Sequence, residues 1–191
     1  MYRYLVSCVF IAAIVFASGS YFFRTYWEHR YDALIERQAR IYSIDARLVW
    51  SLIYEETWFQ AWKIGADEEV GLMQVTPLVA REWAKETGLR EFEKQAAENV
   101  VEFLGDPERN IQVGCWYFEK VRERYRGRPA ETAMTLAAYN AGPSRVEEWT
   151  KDANAQLMSE ADFVSRIGIA STKAYVLSIL ERYRAEEGKK S

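Results

Sequence analysis

Apolar positions recur along much of this chain at the three-and-four spacing of helices, and one such stripe carries an acid in its middle. In residues 46–57 each helical residue turns about 100°, so Leu48, Val49, Leu52 and Ile53 share a stripe roughly 140° wide, with Glu56 near its centre. Glu55 falls roughly 90° away, on a flank where its carboxylate is expected to meet solvent. Ionising a carboxyl at a core position costs several kcal/mol, so such a group either keeps its proton or finds donors. That is the behaviour of a general acid. The competing reading is a shorter or differently turned helix, with Glu56 at its exposed C-terminal end.

The same pattern predicts the other elements. Tyr26 to Tyr42 reads as one polar helix with Tyr31, Leu34, Ile35 and Ile41 for packing, and Ser43 or Asp45 caps the helix that carries Glu56. After Phe59 the periodicity fades into a loop through Asp67, Glu68 and Glu69 to Val75. Thr76 and Pro77 open a helix that Gly88 closes, a weaker helical pattern covers 89–104, and Asp106 with Pro107 opens a long helix. Gly127 to Pro129 separates it from an alanine-rich helix, Ala130 to Tyr139, and Gly142 with Pro143 starts another to about Thr150. Lys151 to Ser159 is a polar loop, and the last helix starts near Ser171 or Thr172. No strand longer than a few residues, internal repeat or low-complexity tract is evident. The expected class is all-α.

At the N-terminus, Leu5 to Phe23 is a run of 19 uncharged, mostly apolar residues between Arg3 and Arg24. As a helix it is about 28 Å long, close to the roughly 30 Å of a bilayer core. An uncleaved anchor in the inner membrane through residues 5–23 is expected; a signal peptide cleaved near Ala17-Ser18-Gly19 is the alternative. The implied division is an anchor at 1–24, a juxtamembrane helix at 25–42, one folded domain at 43–187 and a disordered tail at 188–191. The net charge of −3 with mixed signs offers no basic stripe for nucleic acid, and one histidine, His29, with two distant cysteines, Cys8 and Cys115, makes no His/Cys metal site. No metal or cofactor is expected. His29 reads as an exposed juxtamembrane residue.

Five short stretches then acquire a common meaning. Glu56-Thr57-Trp58-Phe59, Gly71-Leu72-Met73-Gln74-Val75-Thr76-Pro77, Asn110-Ile111-Gln112-Val113-Gly114, Ala138-Tyr139-Asn140-Ala141-Gly142 and Thr172-Lys173-Ala174-Tyr175-Val176 resemble, in order and spacing, the motifs of the soluble lytic transglycosylase catalytic domain. The resemblance covers about residues 40–185 and implies a lysozyme-like helical fold behind the N-terminal segment. It implies that Glu56 is the catalytic acid/base, that Met73, Gln74, Tyr139 and Asn140 line a glycan groove with Thr57 beside them, and that Tyr175 hydrogen-bonds the catalytic carboxyl. Taken singly, these residues have plainer readings: core for Met73 and Tyr175, packing for Tyr139, a helix C-cap for Asn140, and satisfaction of loop backbone groups for Gln74. Three departures are visible. Thr57 replaces the usual serine, Ser171 stands where a glutamate is common, and the loop before Gly71, usually small and neutral, is acidic at Asp67-Glu68-Glu69.

Glycosidic cleavage needs a proton for the leaving oxygen and stabilisation of an oxocarbenium-like centre, a task for which hydrolases bring a second carboxylate. The resemblance implies that one glutamate serves twice, first as acid and then as base to the C6 hydroxyl of muramic acid. The expected activity is therefore that of a membrane-anchored lytic transglycosylase on peptidoglycan glycan strands in the periplasm, with protein partners unknown. Two alternatives stand beside it: a lysozyme-type muramidase using the Asp67-Glu69 loop, and a non-catalytic glycan-binding scaffold. Product analysis separates all three.

Overall fold

The structure, a computed structural model, describes residues 2–88 and 90–188, with side chains placed except at 2–10, 90 and 187. Among the described residues the elements are α1 (Tyr2–His29), α2 (Asp32–Ile41), α3 (Ala46–Thr57), α4 (Pro77–Thr87), α5 (Arg90–Glu98), α6 (Val100–Gly105), α7 (Pro107–Arg122), α8 (Glu131–Ala141), α9 (Pro143–Thr150), α10 (Glu160–Arg166) and α11 (Ala170–Gly188). Extended pairing among the described residues is confined to two isolated bridges, Ile64 with Val70 and Val70 with Val75. The chain folds as an all-helical unit.

Several starts follow from the capping chemistry read in the sequence. The side chains of Thr76 and Asp106 accept from the backbone N–H groups of Val79 and Arg109, each followed by a proline that gives up no needed donor. Of the two candidate caps for α3, Asp45 does the work, accepting from the Arg47 N–H, while Ser43 sits at φ 53°.

Two expectations are corrected and others gain detail. The single helix expected over 26–42 is broken, because α1 ends at His29 and α2 starts at Asp32, with His29 Nδ1 and Asp32 Oδ2 2.8 Å apart across the break. Arg30 at this corner stacks on Trp27 at 3.3 Å and donates to the carbonyl of Phe59, so tertiary contacts win over helix continuation. The stretch 89–104 is helical from Arg90 in line with its weaker pattern, in two pieces, because Asn99 turns its side chain onto the Glu102 N–H and starts α6. Residues 160–166, to which the sequence pattern assigns no element, form α10 under a Ser159 cap, and α11 begins at Ala170, one residue before Ser171. Gly188 belongs to α11; residues 189–191 of the expected tail lie outside the described residues.

The core is built around α8. Ala133, Met134, Leu136, Ala137 and Ala138 are all 0% exposed. A helix apolar on this many faces is one surrounded by others, here α7, α9, α10 and α11. Small alanine side chains let those neighbours close in. On the other side α11 packs along α3, which fixes what α11 can present to Glu56.

Among the described residues no helix is long and apolar enough to cross a membrane. The anchor expected over 5–23 includes residues 5–10, whose side chains lie outside those described. From Ile11 onward α1 leaves Ile11, Ile14, Val15, Phe16, Phe22 and Phe23 exposed.

Candidate active site

The site forms where the end of α3 meets the loop over 60–75. Helix α3 stops at Trp58 in the left-handed region (φ 48°), and Phe59 follows in the same region (φ 60°). Neither is a glycine, so the turn is strained and held by its surroundings. Phe59 is thereby driven into the core at 0% exposure and Trp58 outward at 40%. The Thr57 hydroxyl donates to the carbonyls of Ile53 (3.2 Å) and Leu72 (3.1 Å), tying the helix end to the loop.

Asn110 of α7, 0% exposed, sets the shape of that loop. Its Oδ1 accepts from the Met73 N–H at 2.8 Å, and its Nδ2 donates to the carbonyls of Val70 (2.7 Å) and Leu104 (3.0 Å). Gly71, at φ 76°, lies against this amide, where an added Cβ would come within 2.4 Å of Asn110 Nδ2. Gly114 of α7 makes room for Met73 in the same way, with 2.4 Å between an added Cβ and the Met73 sulfur. Gln74 takes φ 47° and donates to the Gly71 carbonyl at 2.9 Å.

Glu56 is half-buried above this loop. The Tyr175 hydroxyl, from α11, donates to its Oε1 at 2.6 Å. Burial raises the Glu56 carboxyl from its ordinary 4.5 to about 7; the Tyr175 hydrogen bond and the Lys63 charge pull it down, while Glu55 and Glu69 push it up. Burial is the largest of these effects. The Lys63 ammonium lies against the backbone carbonyl of Glu56, which keeps a cation at the site without neutralising the acid. Tyr139 donates from its hydroxyl to the Met73 carbonyl at 2.8 Å and packs its ring on Tyr117 and Phe118. The hydroxyls of Tyr139 and Tyr175 are pushed well above their ordinary value, by burial first and then by the Glu56 charge, so both stay protonated donors.

The residues singled out in the sequence therefore gather at one place but face different ways. Tyr175 meets Glu56 directly. Thr57 (3% exposed) and Met73 (0% exposed) face inward and shape the loop, which corrects the expectation that they line a groove. Gln74 is partly exposed and satisfies loop backbone. Asn140 is exposed at the end of α8, with its Oδ1 accepting from the Thr172 hydroxyl at 2.7 Å instead of capping the helix, which ends on Gly142. Glu55 is not a free surface acid. It accepts from Ser178 Oγ (2.6 Å) and Arg182 (3.1 Å), both on α11, and so helps hold Tyr175 in register with Glu56. Arg182, Lys63 and Asn110 were not assigned roles from sequence, and only Asn110 lay in a recognised motif.

In the acidic loop, Asp67 and Glu68 are exposed, while Glu69 accepts from the Asp67 N–H at 2.9 Å and is the loop acid whose charge is felt at Glu56. Among the described residues no group of three or more His, Cys, Asp or Glu is placed to hold a metal ion. A cavity of about 390 Å³ lies elsewhere, between α5, α6 and α7, and shares no residue with this site.

Three comparisons bear on this arrangement. A family model described as "Transglycosylase SLT domain" matches residues 33–161. Among curated proteins, the chain is 31% identical over 110 residues to the soluble lytic murein transglycosylase of Escherichia coli strain K12, covering 58% of this chain and 16% of that protein. It is 27% identical over 150 residues to the membrane-bound lytic murein transglycosylase F of Hahella chejuensis, covering 74% of this chain and 26% of the relative. The chain thus spans 16% and 26% of the length of these relatives. Among solved structures, an inactive variant of lytic transglycosylase Slt from Pseudomonas aeruginosa superposes with a TM-score of 0.72 at 24% identity, covering 86% of this chain and 25% of that one. The all-helical fold is that of a lytic transglycosylase.

Proposed function

We propose, from the premise that this chain belongs to the transglycosylase SLT domain family, that it is a peptidoglycan lytic transglycosylase. It cleaves the β-1,4 bond between N-acetylmuramic acid and N-acetylglucosamine and leaves a 1,6-anhydromuramic end. The observation that carries this reading is a single carboxyl raised to about 7 and held by a tyrosine hydroxyl at 2.6 Å. Near neutral pH such a group is present in both forms, as one residue acting first as acid and then as base requires.

In the proposed cycle Glu56 gives its proton to the glycosidic oxygen as the C1–O bond breaks. The carboxylate left behind stabilises the cationic centre, then takes the proton of the muramic C6 hydroxyl as that oxygen bonds to C1. Glu56 ends protonated, no water is consumed, and no cofactor is called for. Tyr175 fixes the carboxyl's orientation. Gln74, Asn140 and Tyr139 border the sugar path, while Thr57 and Met73 hold the loop beneath it.

Digestion of purified sacculi followed by mass spectrometry tests this. Anhydromuramic ends are the expected product; reducing muramic ends in their place would sink it. A muramidase reading keeps one supporting observation, the Glu69 charge that reaches Glu56. It requires reducing ends together with loss of activity in Glu69→Gln.

Tyr175→Phe is expected to lower turnover about tenfold, the scale of one hydrogen bond to a charged group. That bond favours the ionised carboxyl, so its loss raises the Glu56 value further and moves the alkaline limb of the pH–rate profile upward. A limb that stayed in place or moved down would contradict the assigned role.

The N-terminal segment we read as an inner-membrane anchor at 1–24, a connector at 25–42 and a periplasmic catalytic domain at 43–187. The exposed apolar residues of α1 and the existence of a relative named as membrane-bound support it.

A further inference from the structure

The aromatic residues beside the active-site loop have no role in the chemistry above, and they adjoin α1. Trp27 of α1 lies 5.9 Å, ring to ring, from Trp58 and 5.7 Å from Trp62, and its indole N–H donates to the Trp58 carbonyl at 2.9 Å. Phe23 stacks on Trp27 at 5.8 Å. Within this cluster Trp62 (66%) and Phe23 (60%) remain exposed, as do Tyr26 (68%) and Ile64 (58%), one and two residues along the chain from Trp27 and Trp62. Two of these rings come from the loop that follows Glu56, and strained backbone at Trp58 holds one of them outward. Exposed aromatic clusters of this kind mark an interaction surface.

We propose that this face sits in the lipid–water interface of the membrane that α1 enters, so that the catalytic cleft opens at the bilayer surface. Three observations select that occupant. The patch is continuous with the exposed apolar residues of α1 from Ile11 to Phe23. Its composition, tryptophan and tyrosine with an apolar rim, is that of the interfacial layer, where amphipathic rings are favoured. Its height also fits: Trp27 is four residues beyond Phe23, about 6 Å along the axis, and each interfacial layer is roughly 5–7 Å thick. Trp58 and Trp62, packed on Trp27, share that level. Glu56 is two residues from Trp58, so the enzyme takes glycan strands from the part of the wall next to the membrane.

This rests on the anchoring reading, and the test separates the two. In the full chain carrying Cys8→Ala, an environment-sensitive fluorophore is placed at Trp62→Cys, at Ile64→Cys and, as a control on the exposed 151–159 loop, at Leu157→Cys. Each protein is reconstituted into phosphatidylethanolamine/phosphatidylglycerol vesicles containing lipids with headgroup-level spin-label quenchers. A several-fold loss of emission with a blue shift at 62 and 64, and none at 157, is expected. Protein that floats with the vesicles but is quenched no more at 62 and 64 than at 157 overturns the proposal and leaves the anchor standing. Failure to float overturns both. A blue shift that grows with protein concentration without lipid would assign the face to a second copy of the chain and equally overturn it.

Discussion

Glu56→Gln is expected to lower turnover on sacculi by about 10³-fold, within the range of a lost general acid/base, while making the protein more stable above neutral pH. The amide keeps the shape of the side chain and an oxygen for the Tyr175 hydroxyl, but it has no proton to lend. The stability effect follows from the raised carboxyl. In the unfolded chain Glu56 ionises near its ordinary 4.5 and in the folded chain near 7. Below 4.5 both states are protonated and Glu56 costs nothing. Between 4.5 and 7 folding requires a proton to be held against solution, and above 7 the native state carries a charge that burial disfavours. At about 1.4 kcal/mol per unit this amounts to up to about 3 kcal/mol at pH 8. Urea unfolding at pH 4 and pH 8 checks it: the variant gains at pH 8 and the difference vanishes at pH 4. A gain that is independent of pH would mean the carboxyl is not strained by burial.

Asn110→Ala carries the second large effect although Asn110 touches no part of Glu56. Its amide satisfies the Met73 N–H and the Val70 and Leu104 carbonyls. Each buried backbone group left unpaired costs about 1–3 kcal/mol, so a loss of about 3–5 kcal/mol is expected. The loop also carries the Met73 carbonyl that receives Tyr139, and the three positive-φ residues Glu68, Gly71 and Gln74. Loosening it should raise KM for glycan strands more than it lowers kcat. Denaturant unfolding and steady-state kinetics on the folded variant measure both. A stability change under about 1 kcal/mol would show that the loop is held by something else.

The sequence disclosed these features unevenly, for physical reasons. The position of Glu56 on an apolar stripe is a local, periodic property and was legible without any comparison. Starts such as Thr76-Pro77 and Asp106-Pro107 were legible because a cap acts within three residues of itself. The partnership of Tyr175 with Glu56 spans 119 positions and has no periodic signature; only the resemblance pointed to it. The Glu55–Arg182 pair was missed for the same reason, since a flank position predicts exposure but cannot reveal a cation on another helix. Helix α10 is seven residues long, too short for a stripe, yet Ser159 and Asp162 at cap spacing were a usable signal. The inward turn of Thr57 and Met73 could not be read from motif membership, which places a residue near a site without saying which way it faces.

The account depends on Glu56 keeping its proton near neutrality, and a carboxyl-carbon NMR titration of side-chain-labelled glutamate measures this directly. The resonance that disappears in Glu56→Gln identifies the residue. A midpoint near 7 that moves upward in Tyr175→Phe is the predicted result; a midpoint near 4.5, indistinguishable from a surface glutamate, would contradict it.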